Sequence, residues 1–264
     1  IKGAAWALKD NGKHIITSSI EHHALLDTVK WLGKNGYDYT VLPVDETGMA
    51  DPKELEAAIR PDTILTSIMY ANNGRGTIER VAELGEVCRR HGVLFHTDGV
   101  QATGHIKIDV KELPIDMMTM AAHKMYGPKG VGALYVRKGI KLIPVIHGGG
   151  QEFGVRSGTE NTPGLIGFGM AAELAANRLA SGEIDNEIRL RDRLIAGPGL
   201  LHAGGHLRLL FRRSHRCRCH PGWRSSRSRS LFRRLQCFFF CAGYRRLEGQ
   251  QAQQHHHQGR IFIR

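Results

Sequence analysis

Hydrophobic positions over the first two-thirds of the chain switch repeatedly between two periods. "KHIITSS" (13–19) is a continuous β-rich run, and "EHHALLDTVKWLGKNG" (21–36) then places apolar residues at helical spacing until Gly36 stops it. "YTVLPV" (39–44) reads as a strand. "DPKELEAAIR" (51–60) opens a helix with Asp51 as N-cap, Pro52 at the first helical position and Glu54 three residues after the cap. "TILTSIM" (63–69) is another strand, and "IERVAELGEVCRRHG" (78–92) a helix ending at Gly92. "GVLFHTD" (92–98), "IDMMTM" (115–120) and "VGALYV" (131–136) follow as short buried strands. Strands joined through helices of this length predict βαβ units, an α/β fold with a mostly parallel sheet flanked by helices.

In such sheets ligands gather at the carboxyl ends of the strands. The polar pairs His22 and His23, Asn72 and Asn73, Asp98 and Gln101, and His123 and Lys124 all fall there. A lysine at one strand end, an aspartate at another and a histidine able to lie over a flat ring suit pyridoxal 5'-phosphate. A lysine amine in a desolvated site is more readily neutral, and so can add to the cofactor aldehyde. A carboxylate can keep the pyridine nitrogen protonated, which makes the ring an electron sink. The phosphate calls for backbone N–H groups, hydroxyls or imidazole. Plainer readings stand beside this one. Lys124 and Asp98 can form an ordinary strand-end ion pair, His22 and His23 can be polar residues at the start of a helix, and His96 and His105 read as structural. Cys88 shares the apolar side of its helix with Val81 and Leu84, as a buried and inert thiol does.

The net charge of +12 suggests nucleic acid until it is divided along the chain. Residues 197–264 hold 14 arginines, no lysine and one acidic residue, whereas residues 1–196 hold 23 basic and 24 acidic side chains. The body is therefore close to neutral, and it has one cysteine, Cys88, with no sign of a disulfide framework. A two-part organisation follows, with a body over 1–196 and an Arg-rich tail over 197–264. The tail keeps neither period for long and reads as out-of-frame or disordered sequence. Its "HRCRCH" with Cys237 and Cys241 does not match a standard zinc-finger spacing, so no metal site is assigned. Its arginines with nearby Phe and Tyr would hold nucleic acid nonspecifically. No run is apolar enough to span a bilayer and the start has no signal-peptide pattern, so a soluble cytoplasmic protein is expected.

Four stretches, "SSIEHHALLDT", "FHTDGVQATGHIKID", "HKMYGPKGVGALYVRKG" and "HGGGQEFGVRSGTENTPG", closely resemble the cysteine desulfurases of the class V aminotransferase superfamily, which are fold-type I pyridoxal-phosphate enzymes. The resemblance runs from Ile1 to about Ala196 and implies the large domain of that fold. It implies an enzyme that takes sulfur from L-cysteine, leaving L-alanine and a protein-bound persulfide for iron–sulfur cluster or thiolation pathways. By the same resemblance Lys124 is the lysine that joins the cofactor, and Lys129 is not. Asp98 pairs with the pyridine nitrogen, Gln101 bonds the phenolic oxygen, and His22 stacks on the ring and moves protons. His123 contacts the phosphate, and Asn73 lies near the substrate carboxylate and the cofactor ring. Thr159 reaches the phosphate of the neighbouring subunit, which implies a homodimer, and a sulfur-acceptor protein is the implied partner.

The chain departs from that pattern in four places. Ala121-Ala122 precedes His123 where the family has Ser-Gly, and Gly74-Arg75-Gly76 follows the asparagine pair. The opening Ile-Lys-Gly suggests a fold truncated at its N-terminus, with the family's Gly-Thr-Thr phosphate loop falling before residue 1. The mobile loop with its nucleophilic cysteine, and the substrate-gripping arginine, have no match in 197–264. Impaired desulfuration is therefore expected. Another class V activity, such as a selenocysteine lyase or an aminotransferase, or a noncatalytic chain whose basic tail binds nucleic acid, are the alternatives.

Overall fold

The computed structural model describes residues 1–197 and 259–263. Contacts divide the chain into two units, Ile1–Ile188 with His256–Arg264, and Arg189–His255. Of the second unit only residues 189–197 are described, and they hold the end of a helix, α6 (Glu183–Ile195). The zinc and nucleic-acid readings of the tail fall outside the described residues.

The first unit is built on a seven-stranded sheet. Its strands are β1 (His14–Ser18), β2 (Asp38–Leu42), β3 (Thr63–Ser67), β4 (Leu94–Asp98), β5 (Met117–Ala121), β6 (Gly132–Arg137) and β7 (Gly259–Ile263), in the spatial order β2-β1-β3-β4-β5-β6-β7. The first five run parallel, β6 is antiparallel to β5, and β7 is antiparallel to β6. The strand at the far edge thus comes from the Arg-rich segment. Every strand read from the hydrophobic pattern is present within a few residues.

Helices α1 (Lys2–Ala7), α2 (His23–Gly33), α3 (Pro52–Ala58), α4 (Val81–Arg90) and α5 (Thr162–Ser181) belong to this unit, together with the first residues of α6. The start of α3 is capped as its sequence requires, the Asp51 carboxylate accepting from Lys53 N–H with Pro52 in the first turn. In α2, Leu25, Val29 and Leu32 are buried at helical spacing. Successive side chains of β1 show why the central strands read as continuous apolar runs. Ile15 packs with Ala4, Val29 and Leu32 of α1 and α2, whereas Ile16 packs with Leu55 and Leu84 of α3 and α4. Alternate residues of a strand face opposite sides, so both faces of this sheet are covered and both sets of residues must be apolar.

Candidate active site

Six of the seven residues expected to hold the cofactor lie where the parallel strands end. His22 follows β1, Asn73 follows β3, Asp98 ends β4 and Gln101 lies in the turn after it. His123 and Lys124 sit in a short 3-10 helix, Ala122–Met125, directly after β5. Thr159 belongs to none of these ends. It is exposed on the segment leading into α5.

Asp98 is half-buried, and one of its oxygens is already engaged. Oδ1 accepts from Val100 N–H at 3.0 Å and from the Thr119 hydroxyl at 3.2 Å. Thr119 lies opposite Asp98 in the register of β4 with β5, so the sheet itself orients the carboxylate. Oδ2 carries no hydrogen bond among the described residues and remains open to a ligand.

Lys124 is held through its backbone. Its carbonyl accepts from His105 Nε2 at 3.0 Å, which gives His105 the structural role expected for it. Gly127 N–H returns to the carbonyl of Ala122 at 2.8 Å, and Ala122 N–H donates to the carbonyl of Val131, just ahead of β6. The turn is tight enough that Tyr126 takes a left-handed conformation (φ 67°), a region costly for a residue with a Cβ. Gly127 lets the chain pack closely beside it, since a Cβ there would lie 3.0 Å from Ala122 and from Ala171 of α5 and press these neighbours apart. Ala122, Met125, Phe168, Ala171 and Ala175 form the apolar base under this turn. Among the described residues the Lys124 amine makes no salt bridge, so the simple ion pair with Asp98 is not formed. Lys129, four residues beyond Met125, is exposed.

His22 is the N-cap of α2, and its Nδ1 accepts from Ala24 N–H at 3.1 Å. With Nδ1 serving as acceptor, the proton of the neutral ring sits on Nε2. Asn73 is carried by a turn that Asn72 organises. The Asn72 Oδ1 accepts from the N–H groups of Gly74 and Arg75, and its Nδ2 donates to the carbonyl of Ile20 at 2.8 Å. From the sequence Asn72 stands out only as one of a polar pair at a strand end. Glu21 has no expected role in the sequence, although it stands inside "SSIEHHALLDT" and is buried at 6 % exposure.

Pyridoxal 5'-phosphate finds suitable donors and acceptors at its ring end. Asp98 Oδ2 would accept from the pyridine nitrogen and Lys124 would meet the aldehyde, with His22 and Gln101 also placed at strand ends. The phosphate end has fewer hydroxyls than the family pattern offers, since Ala121 and Ala122 supply none. Cys88 is fully buried and burial pushes its thiol up to about 12, so it is not a nucleophile. His96 is buried as well, with Nδ1 against the Ser67 hydroxyl at 2.8 Å, and burial pushes its imidazole down to about 3. Both therefore belong to the packing.

Several known proteins are similar to this chain. A protein named cysteine desulfurase IscS from Methanosarcina thermophila is 55% identical over 209 residues, 78% of this chain and 52% of its own length. A solved NifS-like protein is 41% identical with a TM-score of 0.70, over 74% of this chain and 53% of its own. A solved SspA in complex with cysteine is 44% identical with a TM-score of 0.63, over 65% of this chain and 50% of its own. The chain thus spans about half the length of the relatives it matches. No helix among the described residues is long and apolar enough to cross a membrane. Residues 1–197 match the family described as Aminotransferase class-V, and the chain belongs to that family.

Proposed function

We propose that this chain is the cofactor-binding part of a pyridoxal-phosphate-dependent cysteine desulfurase acting in the cytoplasm as a homodimer. Its substrate is L-cysteine, its product L-alanine, and the sulfur passes to an acceptor protein. The observation that carries the reading is the shared carboxyl end of β4 and β5. There Asp98 closes β4 with one carboxylate oxygen unbonded among the described residues, and Lys124, whose amine makes no salt bridge among them, follows the adjacent parallel β5. The names of the relatives, one of them solved with cysteine, support the choice of substrate.

Bound at this edge, pyridoxal phosphate would supply an electron sink for a carbanion at the substrate Cα. Lys124 would hold the cofactor through its amine and, once the substrate amine displaces it, take the Cα proton. Asp98 would keep the proton on the pyridine nitrogen, and Gln101 would bond the phenolic oxygen. His22 would stack on the ring and pass protons through Nε2, since Nδ1 is committed to α2. His123 would meet the phosphate, Thr159 the phosphate of the neighbouring subunit, and Asn73 the substrate carboxylate. Cys88 does not serve as sulfur acceptor, being buried and protonated. The cysteines of 198–258 match no acceptor loop of the family, so sulfur release by this chain is weak or absent.

Adding pyridoxal phosphate to the full chain tests the reading. A visible absorption band is expected that Lys124→Ala abolishes, that Lys129→Ala keeps, and that L-cysteine shifts. A wild-type protein without the band, or a band that survives Lys124→Ala, would refute it. A band responding to another amino acid and not to cysteine would favour a different class V activity.

A further inference from the structure

Glu21 sits where an acidic side chain is least expected. Its Oε1 accepts from the Ser18 hydroxyl at 2.6 Å and from Met69 N–H at 2.7 Å. Its Oε2 is buried and has no partner among the described residues. An ionised carboxylate so placed would leave charge on an unpaired buried oxygen, which costs far more than a buried neutral group. A carboxylic acid with its proton on Oε2 removes that charge and still lets Oε1 accept both bonds.

The geometry extends from there to the candidate site. β1 ends at Ser18, so past that point no β1 backbone remains to pair with β3, and the Glu21 side chain takes the Met69 N–H instead. The next residue, Tyr70, donates its N–H to the carbonyl of Asp98 at 2.9 Å. One peptide step therefore links Glu21 on one side to Asp98 on the other. Asn72 Nδ2 adds a second tie to the same turn through the Ile20 carbonyl. The turn so fastened carries His22 at the start of α2.

We propose that Glu21 is a positioning residue of this site: as a neutral acid it clamps the His22 turn to the end of β3 and so sets His22 over the place where the cofactor ring lies beside Asp98. This rests on the reading of the site given above. Burial, first of all, pushes the Glu21 carboxyl up to about 8. The charges that act on it from neighbouring elements are those of Asp98 at the end of β4 and Glu79 ahead of α4, both carboxylates and both raising it further.

The test uses the full chain with pyridoxal phosphate as the probe, comparing wild type, Glu21→Gln and Glu21→Ala. Without cofactor at pH 7, the wild-type minus Gln infrared difference is expected to contain the carbonyl stretch of a protonated carboxyl, lost by pH 9. At pH 7 the Gln variant, which mimics the neutral acid, should bind the probe within about threefold of wild type, and the Ala variant at least tenfold more weakly. From pH 7 to 9 the wild-type affinity should fall about tenfold relative to the Gln variant. The proposal is overturned if the infrared band is absent, if Gln binds as weakly as Ala, or if wild type gains on Gln as pH rises. That last outcome would make the ionised carboxylate a counter-charge for the ring. If wild type binds but all three proteins behave alike, the proposal alone falls. If wild type takes up no probe, the reading of the site falls and this proposal with it, and the infrared arm tells the cases apart. Should the Ala variant fail to fold by far-ultraviolet circular dichroism, the pH comparison of wild type with Gln decides.

Discussion

Replacing Glu21 by glutamine should change how the stability of the fold depends on pH, with or without a cofactor. In the unfolded chain this carboxyl titrates near 4.5, and in the fold burial raises it to about 8. Between those values the folded state holds a proton that the unfolded state has given up, so wild-type stability falls as pH rises from about 4.5 to about 8, and then levels. At about 1.4 kcal/mol for each pH unit, this gap of about 3.5 units comes to about 5 kcal/mol. Glutamine keeps the acceptor for Ser18 and Met69 and does not titrate. The Gln variant should therefore gain on wild type by about 1.4 kcal/mol per pH unit across that window. Urea unfolding followed by far-ultraviolet circular dichroism at pH 5, 6, 7 and 8 measures the difference directly. Glu79, raised to about 7 mainly by burial, slopes the same way but is present in both proteins and cancels. A difference that stays constant within about 0.5 kcal/mol from pH 5 to pH 8 would show that Glu21 is not a buried acid, and the reasoning would fail.

On the acid side, His96 should set the other limb. Its imidazole is pushed down from 6.5 to about 3, so stability should fall as pH drops through that interval, and His96→Gln should flatten the fall in the same unfolding assay. Cys88 should resist thiol reagents in the native protein at pH 8 and react once urea unfolds it, a contrast read by mass spectrometry of the labelled peptide that carries Cys88. Phe95, fully buried at the centre of the sheet, should cost about 3–5 kcal/mol of unfolding free energy on replacement by alanine. Asp51→Ala removes the bond to Lys53 N–H at the start of α3 and should cost about 0.5–2 kcal/mol by the same measurement.

Much of the architecture was legible in the chain because the forces behind it are local. Apolar runs in β1 and β3, helical spacing in α2 and α4, and the Asp-Pro start of α3 each declare themselves within a dozen residues. The rule that ligands collect at the carboxyl ends of parallel strands drew attention to four polar pairs, Asp98 and Lys124 among them, and the resemblance gave these two their expected roles.

Glu21 shows where that reasoning stops. In "IEHHA" it looks like one more polar residue ahead of a helix, and nothing nearby in sequence says that Met69, 48 positions away, will present an N–H to it. His105 likewise gains its meaning only when its ring meets the Lys124 carbonyl, 19 residues on. The order of the strands, the reversal at β6 and the burial of particular polar groups depend on which distant surfaces meet. Residue type and periodicity chose the elements and the kind of chemistry. Packing over long separations chose which acid lost its water, which carboxylate oxygen stayed open, and how the lysine turn was braced, because desolvation is a property of the assembled neighbourhood and not of the residue.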